Sequence, residues 1–205
     1  MYYRNVYVSP LGRLALLSDH KALYGLWFED HPGVNNALGK FGQAIDGGED
    51  APVLGAVRLW LDAYFAGRQA GFYRPFSSVG APFPSLPPFR LEGTSFQKSV
   101  WQQLSLVPYG QTITYGELAA RVAAMCGVPR FSAQAVGHAL ACNPLLLVLP
   151  CHRVVGAGGR LIGYAGGVER QRLLLQWDAK GWGAPVRTYS AKLIVNNEKQ
   201  TQRRG

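Results

Sequence analysis

Five prolines, Pro75, Pro82, Pro84, Pro87 and Pro88, fall between residues 75 and 93 of this 205-residue chain. Proline at that density fits neither a helix interior nor a central strand, so the stretch reads as a linker. It divides the chain into parts of different texture. Upstream, YYRNVYV, RLALLS and ALYGLWF read as three strands, the first two joined by a Ser9-Pro10-Leu11-Gly12 turn. Residues 30–50, rich in Gly, Asn and Asp, read as a loop. APVLGAVRLWLDAYFAG carries Val53, Val57, Trp60, Leu61, Tyr64 and Phe65 at helical spacing, with Gly67 as its stop.

Downstream, helices dominate. Thr94-x-x-Gln97 is a capping box that opens SFQKSVWQQLSLV, and Pro108 and Gly110 close it. Thr114-x-x-Glu117 opens YGELAARVAAM in the same way. Gly127 and Pro129 interrupt before FSAQAVGHALACN resumes helical spacing, which makes the pair a helix-turn-helix candidate, although helix pairs abound in proteins that never touch DNA. LLLVL then reads as a buried strand, GAGGRLIGYAGG as a turn and site loop, and VERQRLLLQWDAKG as a last helix. The expected fold is α+β: a sheet-plus-helix domain over residues 1–74, the linker 75–93, a mainly helical domain 94–182 with an active-site strand, and a basic tail 183–205.

The formal charge is +9, from 21 Lys and Arg against 12 Asp and Glu. That surplus favours a polyanionic partner such as nucleic acid, although many basic proteins bind none. Cys126, Cys142 and Cys151 share no short spacing, which argues against both a disulfide framework and a zinc cluster. With no signal pattern and no span long enough for a bilayer, a reducing cytoplasm is the default compartment.

Cys126 and Cys142 sit among apolar helical residues and read as small buried hydrophobes. Cys151 differs, because His152 and Arg153 follow it directly, and cationic neighbours lower a thiol pKa. Side chains alternate in an extended segment, so a Cys151–His152 contact needs a turn or an intervening water. A histidine base also needs an orienting group. Asp178 is the better candidate, since Glu169 lies in a Glu–Arg cluster typical of a solvated helix start. Asn143 either braces the thiol region through its amide or simply ends a helix before Pro144.

PCHRVVG, preceded by NP and followed by GYAGG, resembles the O6-alkylguanine-DNA alkyltransferases, the methylated-DNA–protein-cysteine methyltransferases. GTSFQKSVWQQLSLVPYGQTITYGELA is similar to the opening of their C-terminal domain, and the SPLG turn and AYFAG helix end resemble bacterial members. The resemblance implies irreversible transfer of an alkyl group from guanine O6, and from O4-alkylthymine, in double-stranded DNA to Cys151, with no cofactor and a monomeric protein. His152 would act as base through a water, Asp178 would orient it, and Asn143 would join the recognition helix to the active-site strand. Tyr115 would donate to the flipped guanine. The carbonyls of Cys151 and Val154 would read its exocyclic amine, the Ala165 amide would face O6, and Tyr164 would wall the pocket. Arg153 is grouped with the DNA-binding residues. Ala133, Ala135, Gly137 and Ala139 would give the recognition helix a slim face for DNA, a pattern that equally suits tight helix packing.

Two positions depart from the family pattern. Gln134 stands where the family has an arginine that fills the gap left by the flipped nucleotide, with Arg130 one turn earlier as a partial substitute. Asp178 stands where it has Glu. Some relatives hold a structural zinc on N-terminal cysteines, and with no cysteine before Cys126 no metal is expected. Alternatives are a non-catalytic alkylguanine-binding protein, a cysteine hydrolase on Cys151 and His152, and a plain helix-turn-helix regulator.

Overall fold

The computed structural model describes residues 1–31, 34–42, 44–47, 51–66 and 86–180. The first half of the proline-rich stretch and the whole basic tail lie outside them.

The N-terminal sheet is built on one hairpin. β1 (Tyr3–Ser9) pairs antiparallel with β2 (Gly12–Ser18), and β2 pairs with β3 (Leu23–Phe28). The turn closes because Gly12 takes φ of 118°, where a side chain is strained, and because Ser9 Oγ donates to the Gly12 carbonyl at 2.6 Å. Residues 30–50 are not the plain loop that their composition suggests. They contain a short helix, α1 (Val34–Gly39), and a two-residue strand, β4 (Ile45–Asp46), parallel to β1. Sheet order is β3-β2-β1-β4. Helix α2 (Pro52–Phe65) starts with proline in its first turn, where the missing N–H costs nothing, and buries Val53, Leu54, Val57, Trp60, Leu61 and Tyr64.

The outer edge of β3 joins the two halves of the molecule. Leu23 N–H donates to the Pro88 carbonyl at 2.8 Å and Arg90 N–H to the Leu23 carbonyl at 2.9 Å. Further along, Leu26 N–H donates to the Pro144 carbonyl at 2.8 Å, and Leu146 N–H returns to the Leu26 carbonyl at 2.9 Å. Both the end of the linker and the approach to Cys151 are thus hydrogen-bonded to the N-terminal sheet.

Both capping boxes form, on α3 (Ser95–Ser105) and α4 (Tyr115–Cys126), each satisfying otherwise orphaned amides for about 1 kcal/mol. Gly127 ends α4 in the left-handed region, and α5 (Ala133–Ala141) begins on Ser132, whose Oγ accepts from the Ala135 amide. These two helices are the helix-turn-helix. Trp101 of α3 is buried beneath them and donates Nε1–H to the Ala139 carbonyl at 3.0 Å. Ala139 is therefore a packing residue under Trp101 and not part of an exposed slim face.

LLLVL is not a strand. Leu145 makes one bridge to Leu26, after which the chain turns, with Leu149 N–H bonded to the Leu145 carbonyl at 2.8 Å. Leu147 sits at φ of 72°, an uphill conformation for a leucine that costs roughly 1–2 kcal/mol. The segment is buried as its apolarity demands, but as a knot of turns. Cys151–Arg153 then forms one turn of 3-10 helix before β5 (Ile113–Thr114) and β6 (Val154–Val155) pair in parallel. The last helix, α6 (Val168–Lys180), packs over that turn.

Candidate active site

Cys151 is 4% exposed and lines a cavity of about 270 Å³. Gly137, Leu140 and Ala141 of α5 form one wall, Tyr115 of α4 a second, and Gly163, Tyr164 and Ala165 of the glycine-rich loop a third. Cys151 is therefore covered by the protein yet borders a cavity beside the second helix of the helix-turn-helix.

Asn143 holds the thiol from behind. Its Nδ2 donates to the Leu149 carbonyl at 2.9 Å and to Cys151 Sγ at 3.0 Å, while its Oδ1 accepts from Leu145 N–H at 2.9 Å. One buried amide fixes both ends of the turn and touches the sulfur. Of the two sequence readings for Asn143, the geometry fits the brace.

The electrostatics reverse one expectation. Burial pushes the Cys151 thiol up to about 12, against a smaller opposite pull from the Asn143 amide. Arg153 does not acidify it, because its guanidinium faces away from the cavity. Arg153 Nε donates to Asp178 Oδ2 at 2.6 Å, Nη1 donates to the Val107 carbonyl at 2.9 Å, and the guanidinium lies 5.0 Å from the centre of the Tyr109 ring. At 2% exposure it cannot reach a phosphate, so its grouping with the DNA-binding residues is corrected. Once buried, the guanidinium depends on its counter-ion, because either charge left without the other inside the protein would be strongly destabilising.

His152 is fully buried, and burial lowers its pKa in spite of Asp178, so the ring is neutral at pH 7. Its Nε2 stands 3.4 Å from Asp178 Oδ2, close enough for electrostatic orientation without the alignment of a hydrogen bond. Burial works to raise the Asp178 carboxyl, but His152 and Arg153 together hold it below the usual range. Asp178 is therefore a shared anion, closer to Arg153 than to His152. Glu169 pairs with Arg172 on the surface, as a solvated helix start would.

Tyr115 donates its hydroxyl to the Gly163 carbonyl at 2.9 Å, tying α4 to the loop across the cavity mouth. Burial, and the Cys151 charge after it, raise its pKa, so the phenol remains a proton donor. Tyr164 packs edge-on to His152, with ring centres 6.2 Å apart. Val154 is buried outside the cavity lining, and its carbonyl accepts from Gln171 Nε2 at 2.9 Å. Ala133, Gln134 and Arg130 are exposed at and before the start of α5, with Ala135 half-buried. Cys126 and Cys142 are exposed rather than buried, because both stand at helix ends that face solvent. Among the described residues, no group of three or more His, Cys, Asp or Glu is placed to hold a metal.

Gln171 and Arg170 were not singled out by the sequence. Gln171 Nε2 donates to the carbonyls of both His152 and Val154, at 3.2 and 2.9 Å, so it grips the main chain of the turn that carries the thiol. Its partners are backbone carbonyls, which leave no residue pattern to read.

Two family models cover most of the chain. Residues 95–180 match the 6-O-methylguanine DNA methyltransferase, DNA binding domain, and residues 1–77 the ribonuclease-like domain of the same enzymes. The chain belongs to the 6-O-methylguanine DNA methyltransferase family. Membership gives its enzyme class, methylated-DNA–protein-cysteine methyltransferase. Among its relatives, the methylated-DNA–protein-cysteine methyltransferase of Haemophilus influenzae is 36% identical over 174 residues, 85% of this chain and 84% of that one. The Methanosarcina acetivorans protein of that name is 38% identical over 178 residues, 86% and 97% of the two chains. The O6-methylguanine methyltransferase of Mycobacterium tuberculosis superposes with a TM-score of 0.69 at 33% identity, over 91% of this chain and 98% of that one. A structure of the M. tuberculosis OGT in complex with DNA superposes equally well, at 0.69 and 32% identity, over 89% and 96%. The α+β architecture is that of the family.

Proposed function

We propose that this methyltransferase repairs duplex DNA by moving the alkyl group of O6-alkylguanine, and of O4-alkylthymine, irreversibly onto Cys151 Sγ, one group per protein molecule. The observation that carries the reading is Cys151 on the wall of a cavity shared by α5 and the glycine-rich loop. A base stacked in a duplex cannot reach such a cavity, so it must be extruded, at a cost of a few kcal/mol. Sequence-independent phosphate contacts from basic residues and helix N-termini offset that cost. Exposed Arg130 and Gln134 flank the N-terminus of α5, on the side that meets DNA in this reading.

In the transfer step the S–C bond forms as the C–O6 bond breaks. The Sγ proton passes to neutral His152 through one water, Asp178 stabilises the resulting imidazolium, and the departing guanine takes a proton from the Tyr115 hydroxyl. A thiol with its pKa near 12 is a poor nucleophile at rest, so deprotonation accompanies attack rather than preceding it. The carbonyls of Cys151 and Val154 and the Ala165 amide supply the base-reading contacts, with the second lone pair of the Val154 oxygen left for the guanine amine. The protein acts as a monomer in the cytoplasm, and no helix among the described residues is long and apolar enough to cross a membrane.

Incubating the protein with an O6-methylguanine duplex and mapping peptides by mass spectrometry tests this. One methyl on Cys151 per molecule, with none in a Cys151→Ser variant that still binds DNA, is the expected result. Tight binding without transfer would instead identify a non-catalytic alkylguanine-binding protein.

A further inference from the structure

We propose that the N-terminal domain is a working part of the alkyl pocket, and that Arg170 is the positioning residue through which it sets the pocket wall. The inference rests on the alkyl-transfer reading above. Arg170 lies in the first turn of α6, just after the glycine-rich loop, and its guanidinium gathers four oxygens. Nε donates to the Leu11 carbonyl at 2.7 Å, Nη1 and Nη2 each meet one oxygen of Asp30 at 2.8 Å, and Nη1 also donates to the Gly166 carbonyl at 3.0 Å. The guanidinium carbon sits 4.1 Å over the ring of Phe28. Leu11 belongs to the β1–β2 turn, Phe28 ends β3 and Asp30 follows it, so three of these partners come from the N-terminal domain. Gly166 belongs to the pocket.

The same loop is pressed on Phe28 directly. A Cβ built on Gly166 would come within 2.4 Å of the Tyr164 ring and 2.7 Å of the Phe28 ring, so neither ring has room to shift toward it. Tyr164 and Ala165, the two residues before Gly166, line the cavity. Gly167 N–H closes the turn by donating to the Tyr164 carbonyl at 2.8 Å. The wall facing Cys151 is thus fixed by Phe28 behind it and by Arg170 at its end, and Asp30 fixes Arg170. A planar fork with five donors holds carbonyls and a carboxylate at set angles, which a lysine ammonium cannot do.

Simple domain glue would alter stability and slow all substrates alike. A wall-setting contact alters discrimination between alkyl groups of different size. The test uses the full-length protein with Asp30→Asn, Arg170→Gln and Arg170→Lys. Single-turnover transfer is measured from duplexes carrying O6-methylguanine or O6-benzylguanine, alongside affinity for unmodified duplex and thermal unfolding. Asp30→Asn and Arg170→Gln are expected to slow methyl transfer by about tenfold or more, the effect of a misplaced reacting group. The benzyl-to-methyl rate ratio is expected to rise by roughly threefold or more as the wall relaxes. Duplex affinity stays within about twofold, since no phosphate contact is touched, and Arg170→Lys recovers part of the rate. Equal slowing of both substrates in step with lost stability, or no slowing in any variant, would overturn the proposal. If the wild-type protein left Cys151 unmethylated, the functional reading would fall, which the variants alone cannot do.

Discussion

Asn143 Nδ2 stands 3.0 Å from Cys151 Sγ and 2.9 Å from the Leu149 carbonyl, so one amide both shapes the turn and contacts the thiol. Replacing Asn143 with Ala removes these bonds and the one from Leu145 N–H, leaving buried backbone groups unpaired. A loss of about 2–3 kcal/mol in urea unfolding is expected, together with slower transfer. Asn143→Asp keeps the Leu145 bond but puts a carboxylate beside the sulfur, and its transfer rate should fall further than its stability. Equal losses in the two variants would mean that the amide acts on the fold alone.

The thiol pushed up to about 12 sets a second expectation. Without DNA, the rate of Cys151 alkylation by iodoacetamide should keep rising tenfold per pH unit through about pH 10, with no plateau near the ordinary thiol value of about 8.5. In the proposed mechanism, transfer from DNA follows a different group. His152 must be neutral to accept a proton, and burial lowers its pKa. The rate should therefore be level above pH 7 and decline only below the usual histidine range. Stability has the same sign, because the unfolded chain takes up the histidine proton first as pH falls below about 6.5. A transfer rate that tracked iodoacetamide reactivity would place the thiolate, and not the base, in control.

Asp178 holds Arg153 at 2.6 Å inside the protein. Asp178→Asn leaves a buried guanidinium without its counter-ion, and a loss of about 3–5 kcal/mol is expected. Asp178→Glu restores the charge at one methylene greater reach. Should Asp178→Asn unfold at the wild-type urea concentration, the pair would not be the structural centre that the geometry indicates.

Local signals were legible in the chain and remote ones were not. Thr94 with Gln97, and Thr114 with Glu117, meet within a single helical turn, so spacing alone revealed both boxes. LLLVL failed as a strand because apolarity reports burial, and a turn fastened to Leu26 satisfies burial equally well. Arg153 was misassigned because its partner Asp178 lies 25 residues away, which no adjacent residue betrays. Cys126 and Cys142 looked buried from their apolar neighbours, yet helix ends turn such residues outward. Cys151, His152 and Arg153 drew the eye because they are contiguous, although Cys151 meets Asn143 while His152 and Arg153 share Asp178.

Gln171 offers a test of the main-chain grip. Gln171→Leu keeps the volume but gives up the donor shared by the His152 and Val154 carbonyls. Transfer should slow by about tenfold or more as the thiol leaves its alignment, and Gln171→Glu, which also lacks the donor, should match it. Affinity for unmodified duplex should not move. A Gln171→Leu protein with the wild-type transfer rate would show that the 3-10 turn holds its shape unaided.

Arg130 and Arg153 separate surface charge from interior charge. Arg130 is exposed just before α5, whereas Arg153 is enclosed with Asp178. Each phosphate contact contributes about −0.9 to the slope of log affinity against log salt. Arg130→Ala should reduce that slope by about one unit and weaken binding alike on all sequences. Arg153→Met should destabilise the protein and leave the slope unchanged wherever it remains folded. Gln134→Arg adds a cation on the first turn of α5, where it can enter the stack vacated by the flipped base, and should speed transfer while steepening the slope. If Arg153→Met flattened the salt dependence and Arg130→Ala did not, the DNA would have to approach from the opposite side of the helix-turn-helix, and the cavity beside α5 could not receive its base.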